Sequence, residues 1–180
     1  GGFCFDVSLA TIGLVFGGIF AGYVLLQLKT VKSLPMIHDI TTDTANPPVF
    51  IALADARKAS PNGLEYKGAE IAEQQKKAYT DIQTMTSALP PAQLFVKAEG
   101  VAREMGWEIA AADAKEGRIE ATQTTLLYGF KDDVVIRIAA DQVGSKIDMR
   151  SMSRVGLSDV GINAARIRKF SSALRAVGGL

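Results

Sequence analysis

The chain has very few of the residues from which small chemical sites are usually built. It holds one cysteine, Cys4, and one histidine, His38, in 180 residues. A single thiol closes no internal disulfide, and the rest of the chain suits an oxidising or a reducing compartment equally. With no second histidine, and no cysteine beyond Cys4, no zinc set can be completed around His38. The net charge of +1 leaves no strong field to draw nucleic acid or an acidic substrate. The few aromatics do not interleave with a basic groove, so nucleic acid is not an expected partner. No P-loop, dinucleotide glycine pattern, nucleophile elbow or zinc signature is present. No catalytic residue, metal or cofactor is therefore expected.

The longest absence is of charge. From Val7 to Leu28, 22 residues, there is no Asp, Glu, Lys, Arg or His. A helix of that length covers about 33 Å at about 1.5 Å per residue, enough for a hydrocarbon core of about 30 Å. The expectation is a transmembrane helix over residues 1–29, a juxtamembrane link over 30–35 and a soluble domain over 36–180. A buried helix of a soluble protein and a signal peptide are the competing readings. Against the signal peptide, the region before the stretch is not basic and no small-x-small cleavage pattern precedes Lys29. Because the sequence opens on Gly1 rather than Met, further sequence upstream is expected, and whether it holds another helix is left open. Within the stretch, Gly13, Gly17, Gly18, Ala21 and Gly22 recur at four-residue spacing. Small residues at that interval let two helices approach closely in lipid, although glycine is also simply common in membrane helices. The expected partners are the bilayer and the transmembrane helices of a membrane protein complex. Lys29 and Lys32 after the stretch would place the C-terminal part in the cytoplasm by the positive-inside rule.

Beyond the link, "PMIHDITTDTANPPVF" reads as an extended segment, because Pro47 and Pro48 forbid helix. "ARKASPNGLEY" reads as a loop with a turn at Pro61-Asn62-Gly63. Gly68 to Tyr79 reads as a short polar helix. Pro90 and Pro91 open another helix, with Leu94, Phe95, Ala98, Val101, Ala102 and Met105 on one apolar face and Gly106 as its cap. Four strands are expected next, starting at Trp107, Gly117 (to Tyr128), Asp133 (to Ala140) and Ser145 (to Arg154). Hairpin-length connectors make them antiparallel. A last helix, about Asp159 to Val177, carries Val160, Ala164, Ile167, Phe170, Leu174 and Val177 in one stripe. The fold class is α+β: a four-stranded antiparallel sheet with two helices on one face.

Three places could hold chemistry. His38, Asp39 and Asp43 are close in sequence, but neighbours on an extended chain point apart, so a structural histidine is the simpler reading. Asp132 and Asp133 could do acid–base work or mark a turn. The polar sheet face would gather Glu120, Arg137, Asp148, Arg150 and Arg154, as a solvated ionic ladder or as a binding face. The stretch "DMRSMSRVGLSDVGINAARIRKF" turns the last strand into the last helix. Gly156 permits a sharp turn, Ser158 suits an N-cap and Asp159 the first turn. Arg150, Arg154, Ser158, Asp159, Asn163 and Arg166 could form an anion site at the helix N-terminus, although capping explains most of them.

Taken together, "PMIHDITTDTANPPVF", "QQKKAY", "GWEI", "GRIEAT", "YGFKDDVVIRI" and "DMRSMSRVGLSDVGINAARI" resemble an uncharacterised bacterial and plastid family, domain of unknown function 1499. The resemblance covers nearly everything from Pro35 to Leu174. Thr80 departs from it, where the family usually has proline, and so does Leu157, where a basic residue is common. The resemblance implies no activity. It implies a domain carried after membrane helices and outside the cytoplasm, against the reading from Lys29 and Lys32. The expectation that follows is a non-catalytic accessory or assembly subunit of a membrane complex, with its domain on the periplasmic side of a bacterial inner membrane. The alternative is an anionic small-ligand binding domain or hydrolase.

Overall fold

In a computed structural model, residues 2–125 and 129–180 are described, with side chains from residue 9 onward except 27, 28 and 30–33. Helix α1, Gly2–Ser33, takes up most of the stretch expected to be a link. Its window Leu9–Leu26 has a mean hydropathy of 2.1 and none of it is buried. A core helix of a soluble protein would bury such a surface. This helix is long and apolar enough to cross a membrane, a property that signal sequences share. An ideal Cβ built at Gly13, Gly17, Gly18 or Gly22 meets nothing, so the small-residue face is open.

Residues Pro35–Leu180 form a separate unit. Its elements are β1 (Asp39–Thr41), α2 (Ala54–Lys58), α3 (Ala69–Ala78), β2 (Met85–Ser87), α4 (Pro91–Glu104), β3 (Glu108–Asp113), β4 (Arg118–Thr124), β5 (Lys131–Asp141), β6 (Gly144–Ser153) and α5 (Ile162–Ala176). The four expected strands are β3 to β6, all antiparallel. The expected extension of the second strand to Tyr128 falls on residues outside those described.

The sheet has six strands rather than four. β1 pairs with β6 through Thr41↔Arg150, and β2 pairs with the other half of the same edge through Met85↔Ile147. Each is three residues long, too short for a period-two pattern to announce it. Together they cover the β6 edge, which would otherwise present a row of unpaired backbone groups. Beyond β1 the Gln75 amide of α3 takes the place of a further strand. Thr41 N donates to Gln75 Oε1 at 3.0 Å, and Gln75 Nε2 donates to Thr41 O at 2.6 Å. At the opposite edge β3 carries a register shift between Ile109 and Ala111.

Alternation along the strands sorts two layers. Ile119, Ala121, Val134, Ile136, Ile138, Ile147 and Met149 are buried with Leu94, Phe95, Ala98 and Val101 of α4 and Ile167, Phe170 and Leu174 of α5. Trp107 stacks on Phe170 at 5.5 Å between ring centroids. The other face is not solvated. Residues 36–89 cover it, with Phe50, Leu53, Val135 and Met152 packed as a small second core. A short helix, α2, stands where only a loop was expected. Gly106, at φ +76°, follows α4 as its sequence position suggests.

Gly117 opens β4 at φ +63°, where an added Cβ would run into the Ile138 carbonyl that its hairpin partner presents. Gly117→Ala is expected to destabilise the protein by roughly 1–3 kcal/mol, read as a lowered midpoint of thermal or denaturant unfolding.

Candidate functional site

The residues singled out from sequence divide between the two faces of the sheet. Asp132 and Asp133, adjacent on β5, point to opposite sides, and each anchors a separate arginine network.

On the face covered by residues 36–89, the centre is Arg57 with Asp133, both side chains fully buried. Arg57 Nη1 donates to Asp133 Oδ2 at 3.0 Å and to Met152 O. Its Nε donates to Gly63 O and its Nη2 to Ser153 O. Burial pulls the Arg57 pKa down, against the pull of the Asp133 charge. Arg154 clamps the same carboxylate through Nε and Nη2, both at 2.9 Å, and these hydrogen bonds raise its pKa. Thr122 Oγ1 donates to Asp133 as well. Arg150 is buried against Asp39, with bonds of 2.9 and 2.8 Å. The guanidinium groups of Arg57 and Arg150 each lie 5.3 Å from the Phe50 ring centroid. Burial, helped by the Asp39 charge, pushes the Tyr66 phenol beside Arg150 up to about 12. Glu120 accepts the backbone N–H groups of Ile51, Ala52 and Leu53 at 2.9–3.0 Å, fixing the entry to α2. Arg137 bridges Asp43 and Asp148. The face expected to be a solvated ionic ladder or a binding surface is thus a largely buried network, covered by segments read as extended chain and loop.

On the helix face, Arg166 donates to Asp132 Oδ2 at 2.6 Å, to Gln123 Oε1, to Ser151 Oγ and to Asn163 Oδ1. Asn163 Nδ2 donates to His38 O and Ser153 Oγ. Neither residue is among those read as the apolar stripe of the last helix. At about 100° per residue Asn163 and Arg166 share the face of Ile167, Phe170 and Leu174, and both are buried. Helix α5 begins at Ile162, not Asp159. Its N-terminal amides are held by Asp159, which accepts Gly161 N at 2.9 Å and Asn163 N at 2.7 Å. Ser158 accepts Val160 N instead of capping the helix directly. Val160 and Val177 fall outside α5 and are exposed.

Arg150 and Arg154 therefore stand on one side of the sheet, and Asn163 and Arg166 on the other. The corner between β6 and α5 holds a cavity of about 160 Å³. Asp132, Ser153, Ser158 and Asp159 line it, with Phe130, Val155, Val160 and Ile162, and among the described residues no arginine or lysine does. Two carboxylates suit an anion poorly. His38 faces Leu157 O and Asp43 faces Arg137, so the two do not converge on one point. Sequence reasoning missed Arg57, Asp39 as the partner of Arg150, and Glu120 as an anchor for a loop. A five-residue helix gives no periodic signal to reveal Arg57.

Removing Asp133 strands a fully buried guanidinium. Asp133→Ala is expected to cost roughly 3–5 kcal/mol, and a double-mutant cycle with Arg57→Met to show non-additivity of about 0.5–3 kcal/mol. Burial raises the Asp159 pKa, opposed by its hydrogen bonds from Gly161 and Asn163 and aided by the nearby Asp132 charge. A folded pKa above the unfolded one means that this group favours folding fully below the unfolded value. The contribution is lost as pH rises through the folded pKa. Relative to Asp159→Asn, the wild-type protein is expected to lose stability as pH climbs from about 4 towards neutrality, followed as the difference between the two unfolding midpoints.

A family model described as "Protein of unknown function (DUF1499)" matches residues 39–174. No curated protein matches the sequence. Among solved structures, the crystal structure of protein CV1439 from Chromobacterium violaceum is similar at 10% identity and a TM-score of 0.32, over 54% of this chain and 93% of that one. A likeness that low carries no argument. The family match spans most of the chain and contains both arginine networks, so the chain belongs to the DUF1499 family of proteins of unknown function.

Proposed function

We infer that the protein is a membrane-anchored, non-catalytic interaction module, an accessory or assembly subunit of a larger complex. In this reading it sits in a bacterial inner membrane with residues 36–180 on the periplasmic side. The observation that carries it is α1. Leu14, Phe16, Ile19, Phe20 and Leu25 of this helix are each about two-thirds exposed or more. Each such side chain gains about 1.5–3 kcal/mol on leaving water, so the helix belongs in lipid or against other helices. The open face of Gly13, Gly17, Gly18, Ala21 and Gly22 suits close approach by a second transmembrane helix.

The chemistry of the Pro35–Leu180 unit supports the same reading. Its buried arginines face carboxylates and backbone carbonyls, an arrangement that holds a shape. The alternative, an anion site at the sheet-to-helix corner, has less support because Arg150, Arg154 and Arg166 are bound to Asp39, Asp133 and Asp132.

Purification of the full chain in mild detergent is expected to recover a partner in fixed stoichiometry. Gly17→Leu with Gly18→Leu should lower that recovery severalfold while leaving the protein in the membrane fraction. A clean monomer, or a mature protein cleaved near Lys29, would overturn the reading.

A further inference from the structure

We propose that the corner formed by Met36, Phe130, Val155, Leu157, Val160 and Ile162 is a lipid-contacting surface, resting on the bilayer in which its own chain is anchored. The proposal rests on the membrane-anchored reading above and adds a second contact to it.

Scattered apolar residues on a surface are ordinary, but a gathered group is not. Leu157 is 75% exposed, Met36 67% and Phe130 51%, with Val155, Val160 and Ile162 between 39% and 45%. Phe130, Val155, Val160 and Ile162 ring the corner cavity. Its carboxylates, Asp132 and Asp159, are buried and turned to Arg166 and to backbone amides. Lys131, next to Phe130 in sequence, is exposed as well.

Val160 adds a second observation. Among the described residues it is the non-glycine residue held at positive φ, +47°. A β-branched side chain there is a genuine outlier and costs on the order of 1–3 kcal/mol. The Ser158 hydroxyl and the Asp159 carboxylate hold the strained loop in place. In this strained loop Val160 stays exposed and shares the rim of the cavity with Ile162.

The occupant follows from connectivity. Asp159 N donates to Ile37 O at 3.1 Å, and the His38 ring meets Leu157 O. The patch is thus fastened to residues 37–38, only a few positions after α1 ends at Ser33. Four residues beyond a helix reach about 14 Å at most. The seven helical residues after Leu26 add about 10 Å. The patch is therefore leashed within about 25 Å of the end of the apolar window. Such a leash keeps a bilayer within reach of the patch, and shallow insertion of about 5–10 Å is what aliphatic and aromatic side chains achieve at that boundary.

The test uses the full chain in nanodiscs of phosphatidylcholine and phosphatidylglycerol. In a Cys4→Ala background, an environment-sensitive fluorophore is attached at Leu157→Cys, or at Val143→Cys as the control. Val143 is 78% exposed and lies at the β5–β6 turn, the far end of the strands from the patch. The expected result is blue-shifted emission at position 157, quenched about twofold more strongly by acyl-chain-brominated lipid than emission at position 143. Equal quenching at both positions, in protein that still resists carbonate extraction, overturns the lipid contact and leaves the anchored reading standing. A blue shift at position 157 without bromolipid quenching also overturns it, since a second copy would then cover the patch. Loss of the protein from the membrane on carbonate extraction overturns both.

Discussion

One buried ion pair sets the terms for the rest of the Pro35–Leu180 unit. Arg57 and Asp133 have no exposed side-chain surface, and neither charge could remain there alone. Asp133 therefore needs the α2 segment over it, and Arg57 needs the carbonyls at the end of β6. The pair binds the irregular chain between β1 and β2 to the central strands β5 and β6, which come from a later part of the chain. Such pairs are weak sources of net stability. Their effect here is on register, because a slip of one residue would turn Asp133 towards α5 and Asp132 towards α2.

The same two aspartates show how one sheet can hold two polar clusters without mixing them. Asp132 meets Arg166 on the helix side, and Asp133 meets Arg57 and Arg154 on the other. Between them runs only the backbone of β5. Each cluster lies at the end of the sheet where β1 enters and α5 departs, so the chain's entry, its strand pairing and its last helix are fixed by one set of contacts. Asn163 joins these parts directly, since it bonds to His38 O, Ser151 and Ser153 at once.

The sequence shows plainly those features that carry a period or a punctuation mark. α1 was legible from its missing charge, α4 from Pro90, Pro91 and its apolar spacing, and β3 to β6 from alternation and short turns. β1 and β2 were not, because three residues show no period and their existence depends on an edge that only the folded sheet offers. The polar face was legible as charge but not as buried charge. Burial there is decided by Phe50, Leu53 and Arg57, which lie far away in sequence and in a segment without regular pattern. At the corner, Ser158 and Asp159 were legible as capping residues, while their division of labour was hidden by the turn at Val160 and Gly161. The buried place of Asn163 and Arg166 could have been found by helical arithmetic alone.

The far edge of the sheet carries a consequence for life in two dimensions. Proteins tethered to a bilayer meet one another far more often than they would in free solution, and all with a similar orientation. A flat, unguarded strand would invite neighbouring copies to add to each other like planks. β3 interrupts its own ladder between Ile109 and Ala111 and places Glu108 and Asp113 at its ends. For the anchored protein proposed above, the irregularity that spoils its pairing pattern works against such addition of copies.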